Sequence, residues 1–111
     1  MENYTTPWTK EELNIYILIY CANANFIESN EEIDFIKMKA KHSSFDKIHK
    51  EFEKDNDFQS LQKIQSAIER HGYTSKELET LYAEIKDLYL TDDDYGILEQ
   101  NLLRGLKHLL G

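Results

Sequence analysis

Carboxylate and amide side chains are concentrated in two short segments of the sequence. Residues 25–32 read N-F-I-E-S-N-E-E, and residues 92–99 read D-D-D-Y-G-I-L-E. We call these the first and second acidic turns. Each begins with Asn or Asp and reaches a Glu seven residues later, inside the next predicted helix. Oxygen atoms held close together are the ligands that hard divalent cations prefer. The predicted cation ligands are Asn25, Glu28 and Glu32 in the first turn and Asp92, Asp94 and Glu99 in the second.

The same residues have a purely structural interpretation. Carboxylates in the first turn of a helix are stabilised by the helix dipole, and Asp or Asn in turns bonds the local backbone. Glu32 also fits a capping box with Ser29. The second turn is not an EF-hand, because a loop starting at Asp92 places Ile97 where Gly is needed and Leu103 where the bidentate Glu is needed. Helix capping and cation binding therefore both remain open.

The residue pattern gives little support for catalysis. The four histidines form no i, i+4 pair, and the four glycines are too scattered for a phosphate-binding loop. The single cysteine, Cys21, lies in an apolar run, where we expect a buried and inert thiol. We therefore expect no enzyme. An active site assembled from residues distant in sequence is the remaining enzymatic alternative, and a carboxylate of strongly shifted pKa in a deep pocket would be its sign.

The charge balance limits the classes of partner. The 111 residues carry 21 acidic and 13 basic side chains, for a net charge of −8. Such a chain is unsuited to nucleic-acid phosphates or anionic lipid, whereas a basic protein surface suits it. Solubility is the alternative explanation of the charge. The apolar run at residues 15–22 is too short to span a bilayer and lacks a basic leader, so we expect a cytoplasmic protein without membrane insertion.

Apolar periodicity and capping residues predict an all-α fold of about six helices in one compact bundle. The first helix begins after Thr9 and is apolar nearly all round, which is typical of a buried central helix. Later helices follow Ser29, Ser43 or Ser44, the segment 55–57, and Thr74 or Ser75. The fourth helix ends at Gly72. The sixth follows the second acidic turn, and its predicted apolar positions are Leu98, Leu102, Leu106, Leu109 and Leu110.

The two acidic turns also suggest an internal duplication. Each follows a long apolar helix and leads directly into another helix. A pseudo-twofold arrangement of the halves would bring the first and fifth helices together at the centre of the bundle. If the two halves face each other, the two sets of predicted ligands could supply the two halves of one site.

The motif around these turns resembles that of the TerB-like tellurite-resistance domains. In that family an apolar helix ends in a small residue, and Asp-Gly-Glu-x-Ser-x-x-Glu leads into the next helix. Residues 92–99 resemble this motif, and residues 24–32 do so more loosely. The resemblance implies a single helical domain over residues 1–111, acidic residues suspected of binding divalent cations, and a link to tellurite or other chemical stress. The family's acidic positions correspond to Asn25, Glu32, Asp92, Asp94 and Glu99, whereas Glu28 is our own geometric addition.

The sequence departs from the family motif at the turns. Asn25 replaces the first Asp, which lowers the charge of the first turn. Phe26 and Asp93 stand where the family has glycine, and Gly96 stands where it has the capping Ser or Thr. We therefore expect a non-enzymatic stress-response domain whose first turn binds a cation more weakly than its second. The alternative is a protein-interaction or scaffolding module without metal, including one that forms a homodimer.

Overall fold

Six α-helices and no β-strand form the part of the chain that the structure describes. The structure is a computed structural model, and it describes residues 8–23, 29–40, 44–91 and 96–110. The predicted all-α fold is confirmed. The helices are α1 (Lys10–Ala22), α2 (Asn30–Ala40), α3 (Ser44–Lys54), α4 (Asp57–His71), α5 (Ser75–Leu90) and α6 (Ile97–Leu110).

Local capping residues determine where several helices begin and end. Thr9, Asn56 and Thr74 each accept a hydrogen bond from the backbone N–H three residues later, and the side chain at that later position accepts one from the cap's own N–H. These reciprocal bonds use N–H groups that would otherwise have no partner in the first helical turn. Gly72 ends α4 with φ of +62°, a conformation that glycine adopts at little cost.

Helix α1 lies at the centre of the bundle. It contacts α2, α3, α4 and α5, and every residue from Ile15 to Ala22 is buried. Just before the helix, Trp8 is buried with its ring centroid 4.4 Å from that of Tyr16. The contact of α1 with α5 was expected from the duplication, while the twofold relation itself stays a prediction.

The buried face of α6 differs from the predicted one. Leu98 is 55% exposed and Leu109 is 42% exposed, whereas Leu103, which the predicted face omitted, is only 5% exposed. Leu106 is buried as predicted. The packing partners of α6 are α5 and α4. Leucines occur all round this helix, so its periodicity alone does not select the side that faces those partners.

None of the described helices combines the length and the apolar character that a bilayer crossing requires.

Candidate functional site

The structure describes two of the six predicted cation ligands, one from each acidic turn. Glu32 lies in the first turn of α2, and Glu99 lies in the first turn of α6. The other four predicted ligands lie outside the described residues. They are Asn25, Glu28, Asp92 and Asp94.

Glu32 is an almost completely buried carboxylate, with 1% of its surface exposed. Its Oε1 accepts hydrogen bonds from the Ser29 backbone N–H at 3.3 Å and the Ser29 hydroxyl at 3.2 Å. The Ser29 hydroxyl also accepts from the Glu32 backbone N–H at 3.1 Å. The predicted capping box between these two residues is therefore confirmed. Burial is unusual for this role, since the corresponding carboxylate of the α1 box, Glu12, is only partly buried.

Glu99 repeats part of this arrangement in α6, with one hydrogen bond to its cap within the described residues where the Ser29–Glu32 box has three. It is 6% exposed, and its Oε1 accepts from the Gly96 backbone N–H at 3.1 Å. Gly96 has no side chain, so it offers no hydroxyl to the first turn of α6. A Cβ atom at position 96 would lie 3.3 Å from Glu99 Oε1, closer than most real contacts of this kind. Because glycine has no Cβ atom, the Glu99 carboxylate can approach the backbone at this position.

The charges of both glutamates act on Tyr89, near the end of α5. Burial is the main cause of the raised pKa of the Tyr89 hydroxyl, and the charges of Cys21, Glu32 and Glu99 raise it further. The hydroxyl donates a hydrogen bond to the Cys21 carbonyl oxygen at 3.0 Å, which ties α5 to the end of α1. The first turns of α2 and α6 therefore act on one buried group, although 67 residues separate Glu32 from Glu99 in the chain.

The thiol of Cys21 belongs to the same buried region. Its pKa is raised to about 12, mainly by burial, and the charge of Glu32 raises it while a hydrogen bond from Tyr89 opposes the shift. A thiol with so high a pKa is protonated near neutral pH and is a poor nucleophile. The expectation that Cys21 is buried is confirmed.

The described residues alone do not complete a cation site. Among residues 8–23, 29–40, 44–91 and 96–110, no three His, Cys, Asp or Glu side chains are grouped so that they could hold a metal ion. Glu32 and Glu99 supply carboxylate oxygen, which suits Mg²⁺ or Ca²⁺ better than softer ions. Oε1 of each glutamate already accepts from a cap, so a cation must coexist with these caps or compete with them.

A second polar cluster joins α1 to the start of α4. The Tyr16 hydroxyl donates to Asp55 Oδ2 at 2.7 Å and shares a second hydrogen bond with Ser60 Oγ at 2.9 Å. Lys63 Nζ donates to both Asp55 oxygens at 2.9 Å. Beside it, the Tyr20 hydroxyl donates to Asp57 Oδ1 at 2.9 Å. These mutual bonds make the cluster a structural connection between helices.

A groove between α5 and α6 has no counterpart in the sequence-based predictions. It measures about 640 Å³, and Tyr82 and Lys107 line it together with apolar side chains. Neither Tyr82 nor Lys107 was among the predicted site residues. The only signal was the i, i+4, i+7 spacing of Ser75, Glu79 and Tyr82 along one side of α5, which is also typical of an ordinary helix face.

Comparison with known proteins gives no further assignment. No protein-family model, curated protein or solved structure matches this chain.

Proposed function

We propose that this chain is a TerB-like, non-enzymatic stress-response domain that binds a divalent cation between its two acidic turns. The observation that carries the proposal is that Glu32 and Glu99 are both buried at matching positions of the two acidic turns, and that the charge of each raises the pKa of Tyr89. A buried carboxylate is costly unless it is compensated by hydrogen bonds or a cation. A cation shared by the two acidic turns would need a buried carboxylate from each turn, and Glu32 and Glu99 supply one each.

The first test is a titration of the isotope-labelled domain with Ca²⁺, Mg²⁺, Mn²⁺ and Zn²⁺, followed through its backbone amide shifts. We expect saturable changes at residues 25–32 and 92–99. The double substitution of Asp92→Asn with Asp94→Asn should abolish them and leave the domain folded. A matched control is Asp46→Asn with Glu69→Gln, which removes two exposed carboxylates from α3 and α4. Affinity retained in the first variant would reject the proposed ligands.

Glu99→Gln separates cation binding from helix capping. A glutamine serves in this chain as a capping residue, since Gln59 Oε1 accepts from the Asn56 N–H at 2.9 Å. Glu99→Gln should therefore keep the α6 cap and change the free energy of unfolding by less than about 1 kcal/mol, while losing a charged ligand. We expect weaker cation binding with little change in the urea midpoint. Unchanged binding with lower stability would leave Glu99 as a cap only.

A protein-interaction module is the alternative function, and one observation favours it. Ile97 and Leu98 are 78% and 55% exposed at the start of α6, directly after the second acidic turn. Exposed apolar side chains beside acidic residues suit a partner surface that is both apolar and basic. If that partner is a second copy, sedimentation equilibrium should show a dimer that Ile97→Gln with Leu98→Gln dissociates. A chain that remains monomeric at every concentration tested would reject the homodimer.

A further inference from the structure

The groove between α5 and α6 combines an apolar floor with cationic side chains. Leu78 and Ala83 from α5 and Leu103 from α6 border it, and Lys86 and Lys107 lie along its sides. Residues 75–86 of α5 follow its length, which corresponds to about 17 Å of helix. The groove involves neither of the two acidic turns.

Two polar groups of the groove, the Tyr82 hydroxyl and the Lys107 ammonium, could donate hydrogen bonds to a ligand. The Tyr82 hydroxyl oxygen is shielded from solvent, yet within the described ranges nothing is placed to form a hydrogen bond with it. Buried polar atoms without a hydrogen bond are rare in folded proteins. Lys107 Nζ lies 5.7 Å from the centroid of the Tyr82 ring, and no carboxylate of the described residues forms an ion pair with it. Both groups are hydrogen-bond donors, so both would be satisfied by one anionic acceptor.

The charge of the groove selects the sign of its ligand. The whole chain carries a net charge of −8, but the groove has Lys86 and Lys107 against the single carboxylate of Glu79. The Lys107 ammonium, which forms no ion pair with a described carboxylate, attracts an anion to that place. An inorganic anion would gain nothing from Leu78 and Leu103, whereas a ligand with an apolar body would cover them.

We propose that the α5–α6 groove is a binding site for an aliphatic monocarboxylate. Its carboxylate accepts from the Lys107 ammonium and, after a side-chain movement that opens the shielded hydroxyl to the groove, from Tyr82. Its hydrocarbon chain lies along Leu78, Ala83 and Leu103. Binding replaces the contact of Lys107 with the aromatic ring by an ion pair, and it gives the buried hydroxyl an acceptor. The site is independent of the proposed cation site, so either can fail without the other.

The test is an amide-shift titration of the full chain with octanoate, with acetate and octanol as probes for each half of the ligand. We expect saturable shifts confined to residues 75–86 and 103–107, stronger for octanoate than for acetate or octanol. Lys107→Gln and Tyr82→Phe should each weaken octanoate binding about tenfold, as expected for loss of one hydrogen bond to a charged group. Lys50→Gln on α3 is the matched control, because it removes an exposed lysine outside the groove.

Specific outcomes would overturn the proposal. Octanol binding as tightly as octanoate would show that the carboxylate is not recognised. Shifts spread over other helices, or full affinity in the Lys107→Gln variant, would place the ligand elsewhere. Lys107 is exposed, so this variant is expected to fold and its result to be interpretable even if Tyr82→Phe were to alter the packing.

Discussion

Two tyrosines of this chain show how differently one residue type can be used. Tyr16 is completely buried, and its hydroxyl is bonded to Asp55 and Ser60. Tyr82 is only partly buried, yet its hydroxyl oxygen is shielded and has no hydrogen-bond partner in the described part of the chain. The net value of a buried hydroxyl depends on whether its partners would be left unsatisfied without it. The two residues should therefore respond differently to the same substitution.

We expect Tyr16→Phe to lower the free energy of unfolding by about 1–3 kcal/mol, because Asp55 and Ser60 would lose a hydrogen bond inside the protein. Tyr82→Phe should leave it unchanged or raise it slightly, since no described partner is lost. Urea denaturation followed by circular dichroism measures both values. An equal loss in the two variants would mean that the Tyr82 hydroxyl has a partner, and would remove the reason for assigning it to a ligand.

At the scale of the helix, features that depend on residues close in sequence were predicted correctly, whereas features that depend on tertiary packing were predicted only in part. The start of α1 after Thr9 and the end of α4 at Gly72 were predicted because capping involves residues three or four apart, and of the two predicted caps of α5, Thr74 and Ser75, the structure has Thr74. The buried side of α6 was predicted wrongly in part because it depends on α5 and α4. Leu98 and Leu103 are equally apolar, and only tertiary packing distinguishes them.

Two glycines give a matched test of backbone conformation in these helices. Gly72 has a φ of +62°, whereas Gly105 is within α6, and a Cβ atom would meet nothing within 4 Å at either position. Gly72→Ala should destabilise the protein by about 1–2 kcal/mol through the left-handed conformation alone. Gly105→Ala should stabilise it by about 0.5–1 kcal/mol, because alanine favours the helix.

Thermal or urea unfolding of these two single variants would measure the difference. Because steric contacts are absent at both positions, opposite signs are expected from the backbone alone. Two stabilising substitutions would contradict the left-handed end of α4, and two destabilising ones would contradict a regular helix at Gly105.

The candidate site shows the same contrast between local interactions, which the sequence predicts, and tertiary packing, which it does not. Sequence spacing predicted that Glu32 caps its helix, because Ser29 lies three residues before it. The influence of both Glu32 and Glu99 on Tyr89 was not predicted, because it depends on how α2, α5 and α6 pack. The α5–α6 groove was not predicted, since Tyr82 and Lys107 are 25 residues apart and belong to different helices. Spacing within one helix carries no signal for such a pair.

At the scale of the whole molecule, the core contains several groups that ionise in alkaline solution. Burial is the main cause of a raised pKa for the hydroxyls of Tyr16, Tyr20 and Tyr89. It also raises the pKa of the Cys21 thiol to about 12. All four groups lie on α1 or against it, so their ionisation and the packing of the central helix are coupled.

We expect the stability of the domain to fall steeply in alkaline solution. These groups have higher pKa values folded than unfolded, so above about pH 9 the unfolded chain releases their protons first. Their contribution to stability is complete below the unfolded pKa values and is lost as pH rises through the folded ones. Each group contributes a slope of up to about 1.4 kcal/mol per pH unit. Urea midpoints measured across this range, together with tyrosinate absorbance, would test the expectation.

Tyr20→Phe provides the internal control for the alkaline prediction. It removes one ionisable group and the hydrogen bond to Asp57, so its stability near neutral pH should be lower and its decline with pH shallower. The part of the tyrosinate absorbance that comes from Tyr16, Tyr20 and Tyr89 should rise together with the loss of helical circular dichroism, because these buried hydroxyls ionise only when the bundle opens. If all the tyrosines ionised with the ordinary tyrosine pKa of about 10 while the helices stayed intact, the hydroxyls around α1 would be open to solvent, contrary to the packing described above.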